Sequence, residues 1–135
     1  MTDLRVMLDT NIVSEVMRNP NGVVGARLDQ LNPAAACISI LTAGELRYGA
    51  AKRGSAQLTR SVEMVLQRIA VVAFEAPADT IYGRIRNDLM RRGTPIGPID
   101  FLIAAHALAL DLTLVSANVR EFSRVPDLRV ENWLD

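Results

Sequence analysis

The chain has 135 residues, half of them hydrophobic and 22% charged. This composition excludes a disordered segment and predicts a single domain over 1–135 that can bury its own core. Fifteen basic residues balance fifteen acidic ones, so the overall basic excess of many nucleic-acid binders is absent, while a local basic face stays open.

In chain order, Val6-Met7-Leu8 reads as a short strand, and Asp9-Thr10-Asn11 offers N-cap chemistry for a helix that Asn19-Pro20-Asn21-Gly22 ends. Val23 to Leu31 makes a second short helix. Ala36-Cys37-Ile38-Ser39 reads as a second strand, followed by a helix from Leu41 to Lys52 that stops at Gly54. Ser55 caps a helix running to Arg68, and the unbroken apolar run Ile69 to Phe74 predicts a strand covered on both faces. Pro77 opens a helix to Arg92 with Gly93 at its end, and Pro98 starts an apolar helix through Leu110. Leu112 to Val115 is a strand, and Leu128-Arg129-Val130 is a candidate last one. Strands alternating with helices predict an α/β fold, a three-layer α/β/α sandwich around a mostly parallel central sheet.

The N-terminal Met1 to Arg5 carries an acid and no long apolar stretch, which argues against a secretory signal. The longest apolar run, Ile99 to Leu110, is interrupted by Asp100 and His106 and is too short to cross a bilayer. The lone cysteine, Cys37, excludes an internal disulfide framework and fits a reducing compartment. The expectation is a cytoplasmic protein with no membrane association.

In parallel sheets ligands bind beyond the carboxyl ends of the strands. Asp9 follows the first strand, Glu45 lies in the first turns after the second, Asp100 opens the apolar helix, and Asn118 follows the strand ending at Val115. Each of the three acids stands alone in uncharged sequence: Asp9 between Arg5 and Glu15, Glu45 between Asp29 and Arg47, Asp100 between Arg92 and Asp111. Taken singly, Asp9 could cap a helix, Asp100 could complement a helix dipole and Glu45 could be solvated. Three carboxylates at one sheet edge would instead repel one another unless a cation sat between them. Oxygen ligands of this kind suit Mg²⁺ or Mn²⁺, and one His with one Cys leaves no conventional zinc site.

Other residues have plainer readings. His106, amid alanines, reads as a satisfied core histidine, Cys37 as a small buried hydrophobe, and Trp133 as an anchor for the tail. Arg84, Arg86, Arg91 and Arg92 decorate one helix, with Arg84–Asp88 and Asp88–Arg92 as i,i+4 pairs. A solvated face is the ordinary reading; Arg84, Arg91 and Arg92 are the alternative candidates for contact with RNA phosphates.

Three segments then stand out in order: Met7-Leu8-Asp9-Thr10-Asn11, Ala43-Gly44-Glu45-Leu46-Arg47-Tyr48-Gly49, and Pro98-Ile99-Asp100-Phe101-Leu102-Ile103-Ala104-Ala105-His106-Ala107. They resemble the signature segments of PIN-domain proteins, most closely the VapC-type toxins of bacterial toxin–antitoxin pairs. The likeness continues through Ser116 to Phe122 and Val130 to Trp133. It implies a Mg²⁺- or Mn²⁺-dependent endoribonuclease toxin, usually a homodimer. It also implies a small VapB-like antitoxin whose tail enters the acidic groove, giving a higher assembly. By position, Asp9, Glu45 and Asp100 match metal-site acids, and Thr10, Asn11 and Ser116 match polar residues that steady the site or its water. Where the family often has a fourth acid this chain has Asn118, which can coordinate through its carbonyl oxygen but lacks the charge; Glu121 could compensate. An exposed loop of tRNA or rRNA is the expected substrate, since single-stranded bases can be read.

Competing readings fare less well. A phosphatase with an Asp nucleophile after the first strand would want a second Asp where Asn11 stands, and a receiver-like domain would need a late lysine where Lys52 is the only one. A PIN-like module that binds RNA or protein without turnover draws its support from Asn118.

Overall fold

The computed structural model describes residues 3–134. Its sheet contains five parallel strands in the order β3-β2-β1-β4-β5: β1 (Val6–Leu8), β2 (Ala36–Ser39), β3 (Ala70–Val72), β4 (Thr113–Val115) and β5 (Val130–Glu131). Seven α-helices connect them among the described residues: α1 (Thr10–Arg18), α2 (Val23–Gln30), α3 (Ile40–Arg53), α4 (Ala56–Arg68), α5 (Ala78–Arg91), α6 (Pro98–Ala109) and α7 (Val119–Phe122).

Strand alternation sorts the core into two layers. Val6 and Leu8 of β1, Ala36 and Ile38 of β2 and Val115 of β4 join the apolar faces of α1, α2, α3 and α4. Met7, Cys37 and Leu114 point the other way and pack with α5, α6, Phe122 and Val125. The expected three-layer α/β/α sandwich is therefore the observed fold. The central strand, β1, is fully buried because helices cover both its faces and strands flank both its edges.

Local chemistry sets the element boundaries. Ser39 caps α3 by accepting from Leu41 N at 3.1 Å, and Ser55 caps α4 by accepting from Leu58 N at 3.0 Å. Gly54 closes α3 in the left-handed conformation, φ 64°. Trp133 is buried, donates through Nε1 to Glu131 at 3.1 Å and carries the Arg27 guanidinium 4.7 Å above its ring, which ties the tail to α2.

Two expectations need correction. The Ile69 to Phe74 run yields only Ala70–Val72, an edge strand whose Val71 is 40% exposed. An apolar run has the same composition in an edge strand as in a central one, and among the described residues no sixth strand covers the outer side. The last strand lies at Val130–Glu131, two residues later than Leu128-Arg129-Val130, because its register follows pairing of Leu114 with Val130 and Val115 with Glu131. The short α7 and a 3-10 turn at Pro33–Ala35 were not foreseen.

Candidate active site

Chain order runs outward from β1 through β2 to β3 on one side and from β4 to β5 on the other. The gap beyond the carboxyl ends of β1 and β4 is thus the topological switch point, where this architecture opens a crevice. Asp9 leaves β1 there and Ser116 leaves β4. A cavity of about 520 Å³ lies at this edge, lined by Asp9, Thr10, Asn11, Ser14, Arg18, Glu45, Asp100, Ala117 and Asn118. A second cavity of similar size, about 530 Å³, is apolar, lies among α1, α2 and α4, and contains only Asp29 among acids.

Asp9 is 7% exposed and performs two tasks at once. Its Oδ1 accepts from Thr10 N at 2.8 Å, capping α1, while Oδ2 accepts from the Ser116 hydroxyl at 2.8 Å. Capping and membership of the site are therefore compatible, and the two bonds fix the carboxylate with lone pairs to spare. Burial raises the Asp9 pKa against the lowering effect of the Ser116 and Thr10 bonds. Ser116, fully buried, also accepts from Asn118 N at 2.9 Å, so one hydroxyl joins β1, β4 and the start of α7.

Glu45 reaches the cavity from α3, where the Thr10 hydroxyl donates to its Oε1 at 2.7 Å. Asp100 sits in the first turn of α6, and its carboxyl is pushed up to about 6 by burial first, then by the charges of Asp9 and Glu121 and a hydrogen bond with Glu121, and by Glu45. The Asn118 side-chain amide donates to Glu121. Glu121 stands behind the cavity wall, in contact with both Asn118 and Asp100, and brings a fourth negative charge to the site.

The donor chemistry fits a hard divalent cation. Every available donor is an oxygen, and the repulsion that lifts Asp100 is what a cation would relieve. Among the described residues no three acid, His or Cys side chains are drawn tightly enough together to hold an ion as they stand.

The expected polar residues are thus together: Asp9, Thr10, Asn11, Glu45, Asp100 and Asn118 line one cavity, with Ser116 and Glu121 immediately behind it. Arg84, Arg91 and Arg92 are exposed on or just beyond α5 and do not line it; Arg92 pairs with Asp88 at 3.2 Å. Ser14 and Arg18 were missed, although with Thr10 they follow the i, i+4, i+8 spacing of one face of α1.

The residues with plainer readings behave as follows. Burial pushes the Cys37 thiol up to about 12, as for an inert core cysteine. His106 is buried with Nδ1 2.8 Å from Ser39 Oγ and the Phe74 ring edge-on at 5.3 Å. Burial lowers its pKa over the opposing influence of the Ala73 backbone and Glu75. Nδ1 is paired with Ser39, while Nε2 meets no partner of standard geometry among the described residues and has the Ala73 backbone as its nearest acceptor. Among the described residues no helix is long and apolar enough to cross a membrane.

The model of the PIN domain family matches residues 6–128. The chain is similar to the tRNA(fMet)-specific endonuclease VapC of Shigella flexneri, at 43% identity over 96% of this chain and 98% of that protein. It is also similar to solved structures of VapBC2 from Rickettsia felis bound to a promoter DNA fragment (TM-score 0.88, 34% identity, 96% of this chain and 99% of that one). DNA-bound VapBC from Salmonella typhimurium gives a TM-score of 0.88 at 39% identity, covering 96% of this chain and 98% of that one. With an acidic crevice at the β1–β4 switch point and a match running from the first strand almost to the last, the chain belongs to the PIN domain family.

Proposed function

We propose that the chain, acting as one domain over 1–135, is the endoribonuclease toxin of a toxin–antitoxin pair and hydrolyses RNA phosphodiester bonds at the acidic crevice with Mg²⁺ or Mn²⁺. The observation that carries this reading is the convergence of Asp9, Glu45, Asp100 and Asn118 on one cavity, with the Asp100 carboxyl raised by burial first and then by the surrounding carboxylates. Arg18 brings one positive charge to the lining against several carboxylates, and a divalent cation, which a nuclease needs, would offset the remainder. The family relatives named as ribonucleases and solved with their antitoxins support the same reading.

Asp9 and Asp100 are the proposed direct ligands, with Glu45, Asn118 and Glu121 completing the oxygen set. Held by these residues, a divalent ion would supply Lewis-acid chemistry, easing deprotonation of water and offsetting charge on the leaving oxygen. The rest is the work of the chain. Ser116 and the Thr10 amide hold the Asp9 carboxylate in one orientation. Thr10 holds Glu45 through its hydroxyl, placing a carboxylate that can accept a proton from the attacking water. The N-terminal end of α6 presents its positive dipole beside Asp100 and favours a phosphate there. Glu121 answers the objection from Asn118, since the charge missing at one position is present three residues on.

A tRNA is the proposed substrate, as named for the Shigella flexneri relative. The proposed partners are a VapB-like antitoxin and a second copy of the chain. The test is cleavage of total RNA and of a transcribed initiator tRNA by antitoxin-free protein with Mg²⁺, with Mn²⁺ and with EDTA, beside Asp9→Asn. Discrete fragments that disappear with EDTA and with Asp9→Asn support the proposal. Absence of cleavage by folded protein with either metal favours the binding module without turnover.

A further inference from the structure

Building on the nuclease reading, we infer that Arg18 holds the RNA in register by gripping a backbone phosphate flanking the one that is cut. Among the described residues lining the acidic cavity it is the only cation. A polyanion approaching a crevice rich in carboxylates meets repulsion everywhere except at a bound metal and at such a side chain.

The placement is specific. Thr10, Ser14 and Arg18 follow one another along a single face of α1, which leads away from Asp9. Eight residues of α-helix separate Thr10 from Arg18 by about 12 Å along the axis. The helical side chain leans back toward the N-terminus and hence toward the site. From two turns along α1, on the wall of the same cavity, the guanidinium is placed for a phosphate beside the one that is cut. The flexible Ser14 hydroxyl lies between the two and can donate to the intervening backbone.

Arg18 is also available. Its one ion pair is with Glu15, Nη2 to Oε2 at 3.0 Å, and its side chain is 70% exposed. An exposed i,i+3 pair of this kind has little net strength and exchanges readily for a phosphate. Of the other cations, Arg47 is held by Glu63 through two bonds of 2.9 Å, and neither the arginines of α5 nor Arg120 of α7 lines the cavity. A purely structural Arg18, complementing the C-terminal dipole of α1, would affect helix stability and leave RNA binding untouched.

The experiment measures binding of a fluorescein-labelled ten-nucleotide oligouridylate in EDTA, across a series of salt concentrations, and then steady-state cleavage with Mn²⁺. Arg18→Gln is expected to weaken binding roughly tenfold. It is also expected to reduce the slope of log affinity against log salt by about 0.7, one single-strand phosphate contact. Arg18→Lys should keep the slope, and Glu15→Gln, which frees the guanidinium, should tighten binding. In cleavage, Arg18→Gln should raise KM with kcat nearly unchanged. An unchanged slope and KM overturn the inference, as does a change confined to Tm or to binding of the antitoxin. If the oligonucleotide binds with Arg18 dependence yet neither it nor transcribed initiator tRNA is cut with Mn²⁺, the phosphate contact stands and the nuclease reading falls. If it is cut with no dependence on Arg18, the nuclease reading stands and this inference falls.

Discussion

Replacing Asp100 by asparagine should stabilise the metal-free protein while abolishing cleavage. The carboxyl rises from an ordinary 3.8 to about 6 because it is partly buried and faces Asp9, Glu121 and Glu45. Two units correspond to about 3 kcal/mol if fully expressed, and solvent screening of a half-buried group reduces this to about 1–2 kcal/mol. The sign follows from linkage. The folded state binds the Asp100 proton more tightly than the unfolded chain, so the contribution of Asp100 to stability is fully present below pH 4 and is lost as pH rises through 6. Asparagine, similar in shape to the protonated acid, escapes that loss. In urea with EDTA at pH 7.5, the variant should unfold at a midpoint higher by about 0.5–1 M, given a slope of about 2 kcal/mol per M. The gain should vanish near pH 4, with protein concentration held constant. A variant less stable than the parent at pH 7.5, or a gain independent of pH, would refute the electrostatic reasoning.

The same titration predicts that Mn²⁺ affinity falls about fourfold between pH 7.5 and 5.5, as a proton competes at Asp100; calorimetric titration at the two values checks this. Ser116→Ala removes the hydroxyl shared by Asp9 Oδ2 and Asn118 N and should cost about 1–3 kcal/mol of stability in urea, together with a loss of cleavage. Gly97→Ala has an accommodating backbone, φ −59° and ψ 153°, but its Cβ would lie 3.1 Å from Asp100 Oδ2. It should lower kcat roughly tenfold by displacing that carboxylate while leaving Tm almost unchanged. Intact kcat in the alanine variant would show that Asp100 has room to move. Trp133→Ala should cost about 3–5 kcal/mol, because the ring is buried beneath Arg27.

The sheet and its main helices were legible because the signals are local. Asp9 and Ser55 mark helix starts, Gly54 marks a stop, and strand apolarity reports burial. The acids were legible through their isolation in uncharged sequence and their position after strands or at a helix start. What escaped was whatever depends on pairing. Ala70–Val72 is an edge strand only because nothing lies beyond it, and the register of β5 is set by Leu114 and Val115, some fifteen residues away. Arg18 was overlooked because a cation near an Asn-Pro helix end looks like a dipole partner until the fold places it on the cavity wall. The α5 arginines attracted attention through number alone, and their helix packs on the opposite face of the sheet from α1.

The central claim is that the carboxylates at the β1–β4 switch point hold a divalent cation. Crystals of the chain grown with Mn²⁺ and measured at a wavelength that reveals manganese by anomalous scattering test it directly. The account predicts a peak in contact with the carboxylates of Asp9 and Asp100, within reach of Glu45, Asn118 or Glu121, and its loss in Asp9→Asn. A peak elsewhere on the chain, or occupancy at the crevice that survives Asp9→Asn, would contradict it.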